Sequence, residues 1–320
     1  MNLFLDIKHT PKIQKYINLN WKKDHILAKN NKLFFWQHRF KKNKIDFLCE
    51  FKKKKIISIL GIINQSRDHK YSEISMAIWH ARETLSGIRI MSKILNSTHF
   101  KTIKATTISK KARNLYKAMG FNVNFFNNYY ITHLSKHNQV ITQNLQKSFI
   151  DKKSYSEKLP FFKIDKIFLY ARKKNIQKYI RWRFLDHPIY KYFFIVSKDK
   201  KLILIFRVVN VKNRQFIKVV DFIGSFMNQK KFINSLATFL KQNNFDYLEF
   251  LHFGFEDKYI VKSGFKKLNI LKKQIMPIFH EPYLGLKNHK LCCGIKTILK
   301  SYKLKIVRAD GDSDRPSYNL

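Results

Sequence analysis

The chain has 320 residues, room for two domains, and 45% of them are hydrophobic, so each half can bury a core. Lys and Arg number 64 against 21 acids, for a formal charge of +43, a field that attracts polyanions: nucleic acid, an anionic membrane face, CoA or nucleotide-sugars. The charge is dispersed and no RNP-type motif, zinc knuckle or helix-turn-helix signature accompanies it, which argues against sequence-specific nucleic-acid binding.

In chain order, Ile13 to Leu19 reads as helical, and Asp24 to Phe40 gathers aromatic residues around His25, Trp36 and Gln37. Ile45–Phe51 and Ile56–Ile63 read as strands joined by a solvated turn at Lys52–Lys55. Glu73–Trp79 is a third strand. A helix opens at Gly87, with Ile90, Met91, Ile94 and Leu95 on its buried face. Lys101–Ile108 is a strand-like run, and a second extended run covers Asn122–Ile131. Between them lies SKKARNLYKAMGF. There Ala112, Leu115, Tyr116 and Met119 fall at i, i+3, i+4, i+7, with Ser109 as N-cap and Gly120 as the left-handed stop.

Thr132–Lys158 is polar and without apolar period. The chain then repeats its order: a helix over Ile176–Phe184, strands Tyr192–Val196, Leu202–Val209 and Phe216–Ile223, an amphipathic helix Gln229–Leu240, a strand Tyr247–Phe253 and a short helix Asp257–Ser263. That helix stops at Gly264-Phe265, 144 residues after Gly120-Phe121. The reading is a divergent duplication: residues 1–135 and 159–320 as two domains, with 136–158 as linker.

The strand, capped helix, Gly-Phe, strand unit around Tyr116 resembles the fourth helix of the GNAT (Gcn5-related) acyltransferase fold, often written A-R-x-L-Y-x-x-x-G-F. The resemblance implies an α+β fold: two GNAT-like domains in tandem, each a mostly antiparallel mixed sheet flanked by helices. It implies acyl-CoA, in the first place acetyl-CoA, as co-substrate. It also implies Tyr116 as the acid that protonates the departing thiolate. The family's R/Q-x-x-G-x-G/A loop holds pyrophosphate on backbone N–H groups at a helix N-terminus. Gly87 fits its first glycine, but Arg89 stands where a second small residue is expected, either reaching a phosphate or blocking the approach. The expected cofactor-binding residues are Ser86, Gly87, Ile88 and Arg89 in the loop, with Ser109 and Arg113 on the helix motif. Glu73, at a strand start where related enzymes sometimes keep a glutamate, is the candidate general base; its plainer reading is an edge carboxylate. In the second half Ile260 replaces Tyr116, and Gly224-Ser225-Phe226-Met227 is no phosphate cradle, so that half is not expected to bind CoA in the usual way.

Further motifs resemble two-domain GNAT-like proteins of bacterial surface-polysaccharide gene clusters. They are Trp21-Lys22-Lys23-Asp24-His25, Phe35-Trp36-Gln37, Trp182-Arg183-Phe184 with His187-Pro188, and Ala309–Pro316. The resemblance implies N-acylation of an amino-sugar or sugar-nucleotide acceptor. Two other classes stay open: an aminoacyl-tRNA-dependent transferase of the peptidoglycan-bridge type, suited to the charge, and a non-catalytic GNAT-like binding protein, suited to Arg89 and Ile260. Asp310, Asp312 and Asp314 only superficially suggest a calcium loop, because Gly is absent after Asp314 and no Glu follows at the twelfth position. A solvated acidic end, or a local salt bridge to Arg315, is the expectation, and no metal site is expected. Trp21, Trp36 and Trp79 are expected in the core rather than stacked on sugars. Cys49, Cys292 and Cys293 make no disulfide framework, which suits a reducing compartment. No apolar run approaches the roughly 18 residues of a membrane span, and MNLFLDIKHT is too short an apolar stretch for a signal peptide. A cytoplasmic protein in loose contact with an anionic membrane face is expected.

Overall fold

The computed structural model describes residues 4–66, 72–132, 174–211, 214–268, 290–299 and 305–316. The linker expected at 136–158 lies outside them. In chain order the strands are β1 (Leu5–Asp6), β2 (Lys44–Ile45), β3 (Phe47–Lys52), β4 (Lys55–Asn64), β5 (Glu73–Ala81), β6 (Thr102–Ala105), β7 (Asn122–Phe125) and β8 (Asn127–Thr132). They continue as β9 (Phe193–Val196), β10 (Leu202–Val211), β11 (Arg214–Gly224), β12 (Tyr247–Phe253), β13 (Lys266–Lys267), β14 (Cys292–Thr297) and β15 (Ile306–Val307). β1 and β2 make a small ribbon. The first large sheet runs β3-β4-β5-β6-β14-β7, and the second runs β13-β8-β12-β11-β10-β9 with β15 also against β12. Among the described residues only β5–β6 and β11–β12 pair in parallel, so this is the α+β arrangement of two mostly antiparallel mixed sheets flanked by helices.

Local chemistry explains most boundaries. At the β3–β4 tip, Lys53 and Lys54 take φ of 46° and 63°, as a two-residue type I′ turn requires, and the tip lysines lie in solvent. The helix Thr84–Leu95 packs Ile90, Met91 and Ile94 on one face of the first sheet, beside Tyr116. The helices Thr10–Tyr16, Ile26–Lys29 and Asn31–His38 cover the other face with Ile13, Leu27, Leu33 and Phe34. On the second sheet, the helix Lys230–Gln242 buries Ile233, Leu236 and Leu240 in a core shared with Phe206 and Phe250.

The likeness of the two halves extends to fine detail. Thr10–Tyr16 runs on into a π-turn at Ile17–Trp21, and the helix Lys174–Ile180 into another at Arg181–Leu185. Each is followed by Asp-His. His25 Nδ1 accepts from Leu27 N (3.2 Å), and His187 Nδ1 accepts from Tyr190 N (2.9 Å). Gly120 and Gly264 both take positive φ, 81° and 115°. Around them Phe121 N donates to Tyr116 O (3.1 Å) and Phe265 N to Ile260 O (3.3 Å), the same helix-closing bond.

The sheets exchange strands. The run Asn122–Ile131, expected as one strand, is two strands in different sheets. Phe126 hands the chain across, its N–H donating to Leu291 O (2.9 Å). β8 enters the second sheet between β13 and β12, and β14 returns to sit between β6 and β7. Each sheet therefore contains an interior strand from the other half of the chain. Trp36 and Trp182 pin the halves again: each indole N–H donates to the other residue's carbonyl, at 2.8 and 2.9 Å.

Candidate active site

The parallel pairing of β5 with β6 is short. Glu73–Met76 stand opposite Thr102–Ala105, and the ladder then ends. On the β4 side, Ile62 faces Met76 while Leu60 faces Trp79, so Ala77 and Ile78 form a bulge that turns β5 aside. β5 continues to Ala81 with no strand on its β6 side among the described residues. Two helices open beside this gap: Thr84–Leu95 after β5, and Arg113–Ala118 after β6.

Tyr116 is buried, edge-on to Trp79 (5.5 Å between ring centres) and to Phe121 (5.0 Å). Burial, reinforced by the Asp312 carboxylate, pushes its phenol above the ordinary value, so it stays protonated at neutral pH. Ser109 Oγ accepts from Ala112 N at 3.3 Å, one turn before the regular helix begins at Arg113. The Arg113 guanidinium lies 4.6 Å over the Phe125 ring.

In the loop, Ser86 and Gly87 are buried and Ile88 is half-buried. Ser86 N and Gly87 N donate to Glu83 O at 3.0 and 3.3 Å, while Thr84 and Leu85 stand exposed at the helix start. Gly87 allows close packing: a Cβ there would lie 3.0 Å from Ala81 Cβ, and Trp79 Nε1 donates to Gly87 O (3.2 Å). Arg89 is tied to Glu50 of β3, Nη2 to Oε1 at 2.6 Å, which draws it away from the loop. Through Trp79 the chain thus brings Gly87 and Tyr116 to one end of β5. Glu73 opens β5 at the other end, paired with Lys104 at 2.5 Å.

The second half has the same short parallel pair, but a strand fills the gap beside it, and a cavity of about 520 Å³ lined by Gly224, Phe253, Tyr259 and Ile260 lies next to that strand. β11 and β12 pair in parallel over Ile217–Val219 and Leu248–Phe250, and Val220 bulges where Ile205 and Phe206 pair with Asp221 and Val219. Beyond that point β12 pairs instead with β15, His252 with Val307 and Phe253 with Ile306. β8 holds the other edge of β12, so β15 fills the side that β11 leaves. Ile260 occupies the place of Tyr116.

The C-terminal segment corrects an expectation. Arg308–Arg315 is buried rather than solvated, although Arg315 does pair with Asp312 (2.9 Å). Arg308 bonds Glu249 (2.8 Å), and Arg207 and Tyr192 both bond Asp314 (2.8 and 2.7 Å). Lys104 bonds Asp310 (2.7 Å), Arg183 donates to Gly311 O (2.8 Å), and Ser75 Oγ donates to Asp310 O. Arg207, with Arg308 nearby, holds Asp314 well below the usual carboxylate range despite its burial. The sequence carried a signal for this. In a lysine-rich chain the segment sets Asp310, Asp312 and Asp314 between Arg308 and Arg315, and arginine is the cation whose planar fork suits buried carboxylates. The tryptophans expected in the core are half-buried at its edges: Trp21 packs on His25, Trp36 on Trp182, and Trp79 on Tyr116.

No family model matches this sequence, and no curated protein does. Solved structures do resemble it. A conserved Enterococcus faecalis protein of unknown function, described as a probable N-acyltransferase, superposes with a TM-score of 0.51 at 7% identity, over 92% of this chain and 71% of that one. A GCN5-related N-acetyltransferase from Sphaerobacter thermophilus gives 0.38 at 8% identity, over 95% and 98% of the two chains. Saccharomyces cerevisiae N-myristoyltransferase, solved with myristoyl-CoA and inhibitors, gives 0.41 at 11% identity, over 92% and 80%. At these identities the likeness is one of fold. Among the described residues, no helix is long and apolar enough to cross a membrane.

Proposed function

We propose that the protein is an acyl-CoA-dependent N-acyltransferase, with acetyl-CoA as donor. Its acceptor would be an amino-sugar or sugar-nucleotide intermediate of surface-polysaccharide synthesis, used in the cytoplasm. The observation that carries the reading is the asymmetry of the two openings. Among the described residues the first, beside Tyr116, has no strand of the sheet paired in it, although Gly311 packs on Thr106 at its edge, while in the second, beside Ile260, β15 pairs with β12. The residues at the first opening suit the donor. The exposed first turn of the Thr84–Leu95 helix offers N–H groups and a positive dipole end to a pyrophosphate. Acyl-CoA, when bound, supplies an activated thioester carbonyl to the amine. Tyr116 holds the proton for the leaving sulfur, and its raised pKa keeps that proton in place until it is needed. Trp79 and Phe121 fix the ring. Arg89 supports the loop through Glu50 rather than by touching phosphate. The second half, with β15 paired in its gap, would serve the acceptor side and the structure of the whole.

Tyr116→Phe keeps the ring and removes the proton. Folding and acetyl-CoA affinity should change little. Single-turnover transfer to the best acceptor in a panel of amino-sugars should slow by about a hundredfold, the usual scale for a positioned acid. An undiminished rate would return Tyr116 to the core, and transfer to none of the panel would remove the amino-sugar.

A further inference from the structure

A cleft of about 540 Å³ separates the two sheets. Glu73 and Lys104 line it from the first sheet, Tyr179 and Asp221 from the second half, and Lys305 and Asp310 from the C-terminal segment. Its charge runs against that of the molecule. Lys104, buried, bridges Glu73 (2.5 Å) and Asp310 (2.7 Å), one cation between two carboxylates. Asp221 adds a third carboxylate. Its Oδ1 accepts from Phe222 N (2.7 Å) and its Oδ2 from Tyr179 OH (2.9 Å), and no cation is paired with it among the described residues. The Lys305 ammonium lies 4.5 Å over the Phe255 ring. A second observation points to a missing donor. Gln65, 5% exposed, belongs to the same wall. Its Nε2 donates to Ser75 Oγ (3.2 Å), but its Oε1 has no partner. A buried acceptor left unmatched is costly, and a ligand rich in N–H groups would relieve it.

We propose that this cleft receives a primary ammonium group, with Asp221 as its ion-pair partner and proton acceptor. The step is a proton transfer alone. One N–H bond of R–NH3+ breaks, its electron pair stays on nitrogen as the lone pair of R–NH2, and the proton passes to the Asp221 carboxylate. Around Asp221, Asp310 and Glu73 contribute like charge, Lys104 and Lys305 opposite charge, and Tyr179 a hydrogen bond. Burial and the Asp310 charge push Asp221 up to about 7, near the optimum for a base working at neutral pH. The cleft lies at the Glu73 end of β5, opposite the end where Trp79 meets Gly87 and Tyr116, so the inference concerns amine binding and stands apart from the acyl-transfer reading.

The test is calorimetric titration of the full chain with ethylammonium, glucosamine and N-acetylglucosamine, with acetyl-CoA titrated in parallel. Ethylammonium and glucosamine should bind and N-acetylglucosamine should not. Asp221→Asn should weaken amine binding by about tenfold or more, the scale of a hydrogen bond to a charged group. Amine affinity should fall as pH drops through 7. Tyr179→Phe, which leaves Asp221 in place but removes a bond to its ionised form, should move that midpoint upward. Amine binding that Asp221→Asn leaves unchanged, or that N-acetylglucosamine matches, would overturn the proposal. Loss of amine binding alone would leave the acetyl-CoA site standing. Amine binding without acetyl-CoA binding would sink the acyl-transfer reading and not this one.

Discussion

Gly311 measures how tightly the C-terminal segment is held. A Cβ there would stand 2.3 Å from Thr106 Oγ1, against a threonine that the fold encloses. Gly311→Ala should therefore destabilise by about 1–3 kcal/mol, the usual cost of overpacking. Thr106→Ala in the same chain should recover part of that loss in denaturant melts, and strict additivity of the two changes would contradict the contact. At this scale the sequence was legible where the backbone alone decides. Gly120 and Gly264 take the left-handed φ expected of a helix stop, and Lys53-Lys54 form the expected tip. Buried charge was not legible in this way. Asp310, Asp312 and Asp314 read as solvated because nothing local announces Lys104, Arg207 or Tyr192, which approach from distant parts of the chain.

Among the elements, β8 and β14 matter most. Each is an interior strand of the sheet built mainly by the other half, so neither half can complete its backbone hydrogen bonding alone. Residues 1–135 and 159–320 expressed separately should be unstable, and co-expressed they should associate and regain structure. A lone half that melts cooperatively near the temperature of the whole would refute this. The local periods gave β10, β11, β12 and the helix Thr84–Leu95 to within a few residues. They could not assign Asn122–Ile131 to two sheets, since alternation is the same whichever sheet a strand joins. Nor could they show that Ile306–Val307 fills the gap beside β12, because a two-residue strand leaves no periodic trace. Of the candidate site, the meeting of Gly87 and Tyr116 through Trp79 follows from elements that the sequence marks. The engagement of Arg89 with Glu50 and of Glu73 with Lys104 depends on partners it does not.

Across the molecule, buried titratable groups set the response to pH. His25, His38, His187 and His252 are pushed by burial down to about 2, 3, 3 and 4. Each stays neutral in the folded state while the unfolded chain takes up its proton below about pH 6.5. Their contribution to stability is thus present above that pH and lost as pH falls. Asp221, raised to about 7, has the opposite sign: its contribution is present at low pH and lost as pH rises through 7. Between about pH 6 and 4, His38→Gln should flatten the fall in unfolding free energy by about 1.4 kcal/mol per pH unit, whatever it costs at pH 7. Asp221→Asn should steepen the same limb. Slopes that do not move, or move in the reverse sense, would contradict these assignments. The central claim is that the half carrying Gly87 and Tyr116 binds acyl-CoA and the half in which β15 fills the gap beside β12 does not. Isothermal titration of the intact protein with acetyl-CoA tests it most directly. One molecule bound per chain is the predicted result; no binding, or two molecules per chain, would contradict it.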